Sequence, residues 1–211
     1  MPSFIEEELL EAQGYQLIAG IDEAGRGALA GPVVAAAVIL PRQVNAPWLA
    51  EVRDSKKLTP GRRELFFHHI HEIAVSIGIG AAPHYLVDAG GIIKATRLAM
   101  KLAIERLSPP PQSLLIDYMS LPEVRLPQKG ITNGDNLCLS IACASIIAKV
   151  ARDQLMVEFD RIYPGYGLAQ HKGYGTRQHF ACLSRLGPCP IHRQSFRPVR
   201  DIMLHGRLSQ E

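Results

Sequence analysis

The side chains of this 211-residue sequence whose type and placement could do chemistry are four carboxylates. Two apolar runs, YQLIAGID (15–22) and SLLID (113–117), end in acids, Asp22-Glu23 and Asp117, and Asp135 follows Gly134 at the start of a long helix-like stretch. Acids gathered at adjacent strand ends repel one another unless a cation fills the gap. Hard divalent ions such as Mg²⁺ take oxygen ligands of this kind and keep waters that a substrate can replace. Taken singly, Asp135 could be a helix N-cap and Asp117 a strand-end turn residue. The joint pattern favours a metal centre.

The glycine-dense loop after Glu23, Gly25-Arg26-Gly27-Ala-Leu-Ala-Gly31, is the second chemical feature. It resembles a dinucleotide fingerprint, but its last glycine comes one residue too late. The acids just before it would repel a pyrophosphate lacking a metal, and no G-K-[ST] follows. A loop whose backbone can approach a sugar–phosphate chain closely, with Arg26 supplying charge, fits nucleic acid better.

These residues must be held by a small set of elements. Residues 3–12 read as a short helix, 15–22 and 32–40 (PVVAAAVIL) as strands, and Thr59-Pro60 as the capped start of a helix running to Ile73. AVSIGIGA (74–81) alternates as a strand does. Residues 91–107 have helical spacing, and the continuously apolar SLLID implies a strand buried on both faces. NLCLSIACASIIAKVARDQLMVEF (136–159) is a helix rich in small residues, and two short helices are predicted over 176–186 and 198–208. Strands first and alternating helices later predict a mixed α/β sheet with a small helical C-terminal part.

Composition narrows the classes. Hydrophobic residues make up 47% and charged residues 20%, mean hydropathy is +0.04, and no run approaches the ~18 apolar residues of a membrane span. The acidic start MPSFIEEELLE lacks the charge order of a signal peptide. Cys138, Cys143, Cys182 and Cys189 form no C-x-x-C pair and read as reduced thiols of a cytosolic protein. The spacing of His179, Cys182, Cys189 and His192 admits zinc, but without a knuckle they read as ordinary side chains. Net charge is +3, unevenly spread. Residues 171–211 carry seven Lys/Arg against two acids, a net of +5, while the first 170 carry sixteen against eighteen, a net of −2. A basic tail on an acidic body suits a polyanion partner.

Together, GIDEAGRGALAGPVVAAAVIL, DSKKL, LLID, GD-x5-IACASIIAKVARD and GLAQHKGYGT resemble bacterial ribonuclease HII, a type 2 ribonuclease H family, in the same order over nearly the whole chain. The resemblance implies a ribonuclease H-like mixed five-stranded sheet flanked by helices. Residues 1–165 would be the catalytic domain and 166–211 a basic helical segment that aids substrate binding. It implies that Asp22, Glu23, Asp117 and Asp135 hold two Mg²⁺ or Mn²⁺ ions and carry catalysis. Gly25, Arg26 and Gly27 would sense a ribose 2′-hydroxyl, Tyr174 would contact the substrate sugar, and Lys56, Lys57 and Lys149 would contact phosphates.

The activity so implied is cleavage of RNA in RNA–DNA hybrids, and of DNA 5′ of embedded ribonucleotides, leaving 5′-phosphate and 3′-hydroxyl ends. The acting species would be a cytoplasmic monomer away from membranes. The sequence departs from the family pattern at Ala28, Gly91, Asn133 and Tyr118-Met119, where Pro, Asn, Lys and Gly-Asn are usual. Two other readings remain at this point: a junction nuclease on the same fold, and a hybrid binder without catalysis.

Overall fold

The structure is a computed structural model that describes residues 1–42, 44, 46–52 and 55–205. Asp54 of the DSKKL block and Arg207 in the basic tail, with the last residues predicted for the C-terminal helix, lie outside the described residues. Five strands form one sheet: β1 (Ile18–Ala24), β2 (Val33–Ile39), β3 (Ser76–Ala82), β4 (Ser113–Asp117) and β5 (Gln128–Ile131), in spatial order β3-β2-β1-β4-β5. β2 runs antiparallel to β1 and β3, while β4 is parallel to both β1 and β5. Around the sheet stand α1 (Ile5–Glu11), α2 (Pro60–Ile73), α3 (His84–Gly90), α4 (Ile92–Glu105), α5 (Leu139–Ile162), α6 (Leu168–His171), α7 (Arg177–Leu186) and α8 (Arg197–His205).

Strand alternation decides which helix covers which face. Ala19, Ile21, Ala35, Ala37 and Ile39 form one core with Ala95, Ala99, Met100 and Ala103 of α4. Ala24, Ala36 and Val38 form the other with Ala142, Cys143, Ile146 and Ile147 of α5 and Phe66 and Ile70 of α2. The small residues of α5 allow close approach: a Cβ on Gly20 would collide with the Ser140–Ile141 backbone. Asp22 shares parity with Gly20 and so faces α5.

The expected mixed sheet and flanking helices are present, with Thr59 capping α2 as the sequence suggested; Thr176, read as the first residue of a helix, caps α7. Three named elements carried no sequence signal: β5, α3 and the four-residue α6. QKGI is a polar edge strand, half exposed, and α3 is only seven residues long. One expectation is corrected. Asp135 neither starts nor caps α5; it sits in a separate one-turn 3-10 segment, Gly134–Asn136, and α5 begins after Cys138.

Candidate active site

Strand ends place the acids. β1 and β4 are adjacent and parallel, so Asp22, Glu23 and Asp117 emerge at the same edge of the sheet. Asp22 is 5% exposed, and its Oδ1 accepts from the Glu23 amide at 2.7 Å. Burial raises its carboxyl well above the usual range, and repulsion from Glu23 and Asp117 adds to that. Burial also raises Glu23, against the opposing pull of Arg26, whose Nη1 lies 3.3 Å from Oε1. The other oxygen of Glu23, Oε2, is buried and has no hydrogen-bond partner among the described residues. Asp117 Oδ1 accepts from the Gly134 amide at 2.7 Å, which brings the Asp135 turn against the end of β4. Asp135 itself is buried and accepts from the Asn136 amide group at 2.7 Å. The structure thus brings Asp22, Glu23 and Asp117 within electrostatic range of one another and places Asp135 in the neighbouring turn; of the four, Glu23 and Asp117 line the cleft.

Among the described residues no three His, Cys, Asp or Glu side chains already stand at ligand spacing. The donor set nevertheless fits a hard dication. It is all oxygen, Asp22 and Asp135 are buried and Glu23 and Asp117 partly so, Asp22, Glu23 and Asp117 repel one another, and one carboxylate oxygen is out of water with no donor among the described residues.

A cleft of about 800 Å³ opens over these acids, lined by Glu23, Asp117, Gly25–Gly27, Lys56, Lys149 and Tyr174 among others. The predicted substrate residues are distributed around it unevenly. Lys56 lies near enough to Glu23 to oppose its raised pKa. Lys57 is committed to Asn136 Oδ1 at 2.7 Å and so supports the Asp135 turn. Lys149 is bound to Asp153 at 2.6 Å, and burial lowers its pKa. Its ammonium stands 5.6 Å from the Tyr174 ring centre.

The glycine loop is held by groups that sequence reading missed. Gly25 has φ +94°, and a Cβ there would strike the Arg152 side chain. Arg152 is 0% exposed; its guanidinium donates to the carbonyls of Ala30, Pro32 and Lys172 at 3.0–3.1 Å and lies 5.2 Å from the Tyr174 ring centre. Arg193, equally buried, donates to the carbonyls of Arg26 at 2.8 Å and Gly31 at 3.0 and 3.1 Å. Isolated bridges pair Ala28 with Tyr174 and Ala30 with His192, so the C-terminal segment frames the loop.

Ser145 was also missed. It hydrogen-bonds the Asp22 carboxylate and lies 3.0 Å from the buried Ser55 hydroxyl. With Asp22 ionised, as a metal ligand would be, Ser145 donates to it and Ser55 donates to Ser145. The signal was present in the helical spacing: Ser145, Lys149, Arg152 and Met156 follow i, i+4, i+7, i+11 and share one face.

The His179, Cys182, Cys189 and His192 set lies behind the loop. His179 and His192 meet Nε2 to Nε2 at 3.0 Å; His192 Nδ1 accepts from the Cys189 amide at 2.9 Å, and His179 Nδ1 donates to the Tyr174 carbonyl at 3.0 Å. Both rings are therefore neutral, with His192 donating to His179, and burial lowers each pKa to about 4.

Comparison with known proteins gives the family and the fold. A profile of the family described as Ribonuclease HII matches residues 19–199. A Ribonuclease HII of Dehalococcoides mccartyi is 56% identical over 201 residues, covering 95% of each chain. Among solved structures, ribonuclease H2 of Pyrococcus horikoshii OT3 superposes with a TM-score of 0.70 at 24% identity, covering 90% of this chain and 98% of that one. Bst-RNase HIII in complex with Mn²⁺ gives 0.71 at 17% identity over 90% and 70% of the two chains. The chain belongs to the ribonuclease HII family, hydrolases that act on RNA in RNA–DNA hybrids.

Proposed function

We propose that the protein is an endonuclease that cuts the RNA strand of RNA–DNA hybrids and incises DNA 5′ of single embedded ribonucleotides, leaving 5′-phosphate and 3′-hydroxyl ends. The reading rests most on one observation: mutually repelling, buried to half-buried carboxylates at one sheet edge, with Glu23 Oε2 unpartnered among the described residues. Asp22, Glu23, Asp117 and Asp135 would hold two Mg²⁺ or Mn²⁺ ions. Such a pair, typically about 3.5–4 Å apart, would supply an activated water and charge stabilisation for the leaving oxygen.

The chain's own residues supply position and selectivity. Gly27 has nothing within 4 Å of where a Cβ would be, so the loop leaves open space for a sugar to approach the backbone. The 2′-hydroxyl, able both to donate and to accept, is what separates RNA from DNA there. Tyr174, flanked by two cations, presents its ring to the same cleft. Lys56 and Lys149 provide charge for phosphates along it. The protein would act in the cytoplasm as a monomer; among the described residues no helix is long and apolar enough to cross a membrane.

The test is a cleavage assay on matched duplexes holding zero, one and several ribonucleotides, with Mg²⁺ and with Mn²⁺. Cleavage of the last two and none of the first is the expected pattern. Equal cleavage of branched or linear all-DNA substrates would overturn it.

A further inference from the structure

Tyr118 follows Asp117 immediately and has φ +65°, in the left-handed region. A bulky side chain is disfavoured there, and glycine or asparagine would sit more easily. The residue is 65% exposed, and among the described residues its hydroxyl has no hydrogen bond and its ring no aromatic or cation partner. Its backbone is nevertheless fixed, because its amide donates to the Ile131 carbonyl at 2.9 Å and that of Met119 to the Asp117 carbonyl at 2.7 Å. The side chain lines the same cleft as Glu23, Asp117 and Tyr174. An unpartnered aromatic on strained backbone beside a catalytic carboxylate is a sign of ligand contact.

We propose that Tyr118 is a substrate-contacting residue whose ring packs on the face of a nucleotide sugar next to the phosphate at Asp117. The inference rests on the hybrid-cleaving reading above and adds a contact to it. Bases within a duplex are covered by their neighbours, whereas the wide, shallow minor groove of an A-like helix displays sugars. A groove-side ring therefore meets a sugar face. Tyrosine suits this position because its apolar face can be covered while its hydroxyl stays in water. The ring, not the hydroxyl, carries the contact.

The experiment compares wild type, Tyr118→Phe and Tyr118→Asn. Asparagine tolerates the left-handed conformation. Each protein is titrated with a fluorescent RNA–DNA hybrid in Ca²⁺ in place of Mg²⁺, and its thermal midpoint is recorded. Tyr118→Asn should bind about tenfold more weakly with an equal or higher Tm, a combination that loss of a structural residue would not produce. Tyr118→Phe should bind within about twofold of wild type. Hybrid binding by Tyr118→Asn equal to wild type would overturn the contact, as would a loss in Tyr118→Phe as large as that in Tyr118→Asn. Failure of the wild-type protein to bind and, with Mg²⁺, cut the hybrid would instead remove the reading on which the contact rests.

Discussion

The cleft has a floor of buried negative charge and a wall braced by buried positive charge, and the two are treated oppositely. Arg152 and Arg193 are taken wholly out of water, yet their guanidiniums donate to backbone carbonyls at the glycine loop and the C-terminal segment. On the floor, Asp22 is buried and Glu23 largely so, but they and Asp117 repel one another, and Glu23 Oε2 has no donor among the described residues. Charge satisfied internally serves as scaffold. Charge left unsatisfied marks where something else must bind. The contrast locates function within a site where nearly every side chain is polar.

Substitution on the two sides should therefore have opposite signatures. Asp22→Asn or Asp117→Asn removes a repelling charge and a ligand together. Turnover on a hybrid with Mg²⁺ should fall about a thousandfold or more, while the metal-free protein melts no lower than wild type. A large drop in Tm with activity retained would reverse the assignment. Arg152→Met or Arg193→Met should instead destabilise by about 3 kcal/mol in denaturant unfolding, because buried carbonyls lose the guanidinium donors that now satisfy them. Arg→Lys at either position should recover little of this, since one ammonium cannot match the planar fork.

A smaller effect sharpens the scaffold side. His179 and His192 are neutral in the fold, with pKa values near 4 against an ordinary 6.5. As pH falls from 6.5 towards 4 the unfolded chain takes up protons that the folded chain refuses. Stability should then decline over that window, by about 2 kcal/mol per histidine at pH 5. Unfolding midpoints measured between pH 4.5 and 7 check this, and His192→Gln should flatten the slope. Smaller still, Ser145→Ala removes the donor to Asp22 and should weaken Mn²⁺ binding about tenfold, read by calorimetry without nucleic acid. Ser145→Thr, which keeps the hydroxyl, should recover most of it.

The acids and the sheet that carries them were legible because they rest on local patterns: apolar runs of strand length ending in carboxylates, and helical spacing over 91–107. Block order extended this to Gly25–Gly27, Lys56, Lys149 and Tyr174, which do line one cleft. β5 was not legible, because QKGI lies at the polar edge of the sheet and buries only its last residue. Nor was the role of Arg152 and Arg193, whose partners are backbone carbonyls that leave no mark on side-chain sequence. The position of Asp135 depended on one turn of 3-10 helix, and the sequence reading merged that turn with α5.

The most direct test of the central claim, that the unsatisfied floor is a divalent-metal site, is the shift in Tm with Mn²⁺ in the absence of nucleic acid. A ligand that binds only the folded chain must raise its melting temperature with concentration. The wild-type protein should show a saturable rise, and Asp22→Asn, starting from an equal or higher Tm, should show little. No rise in wild type, or the same rise in both, would contradict the claim.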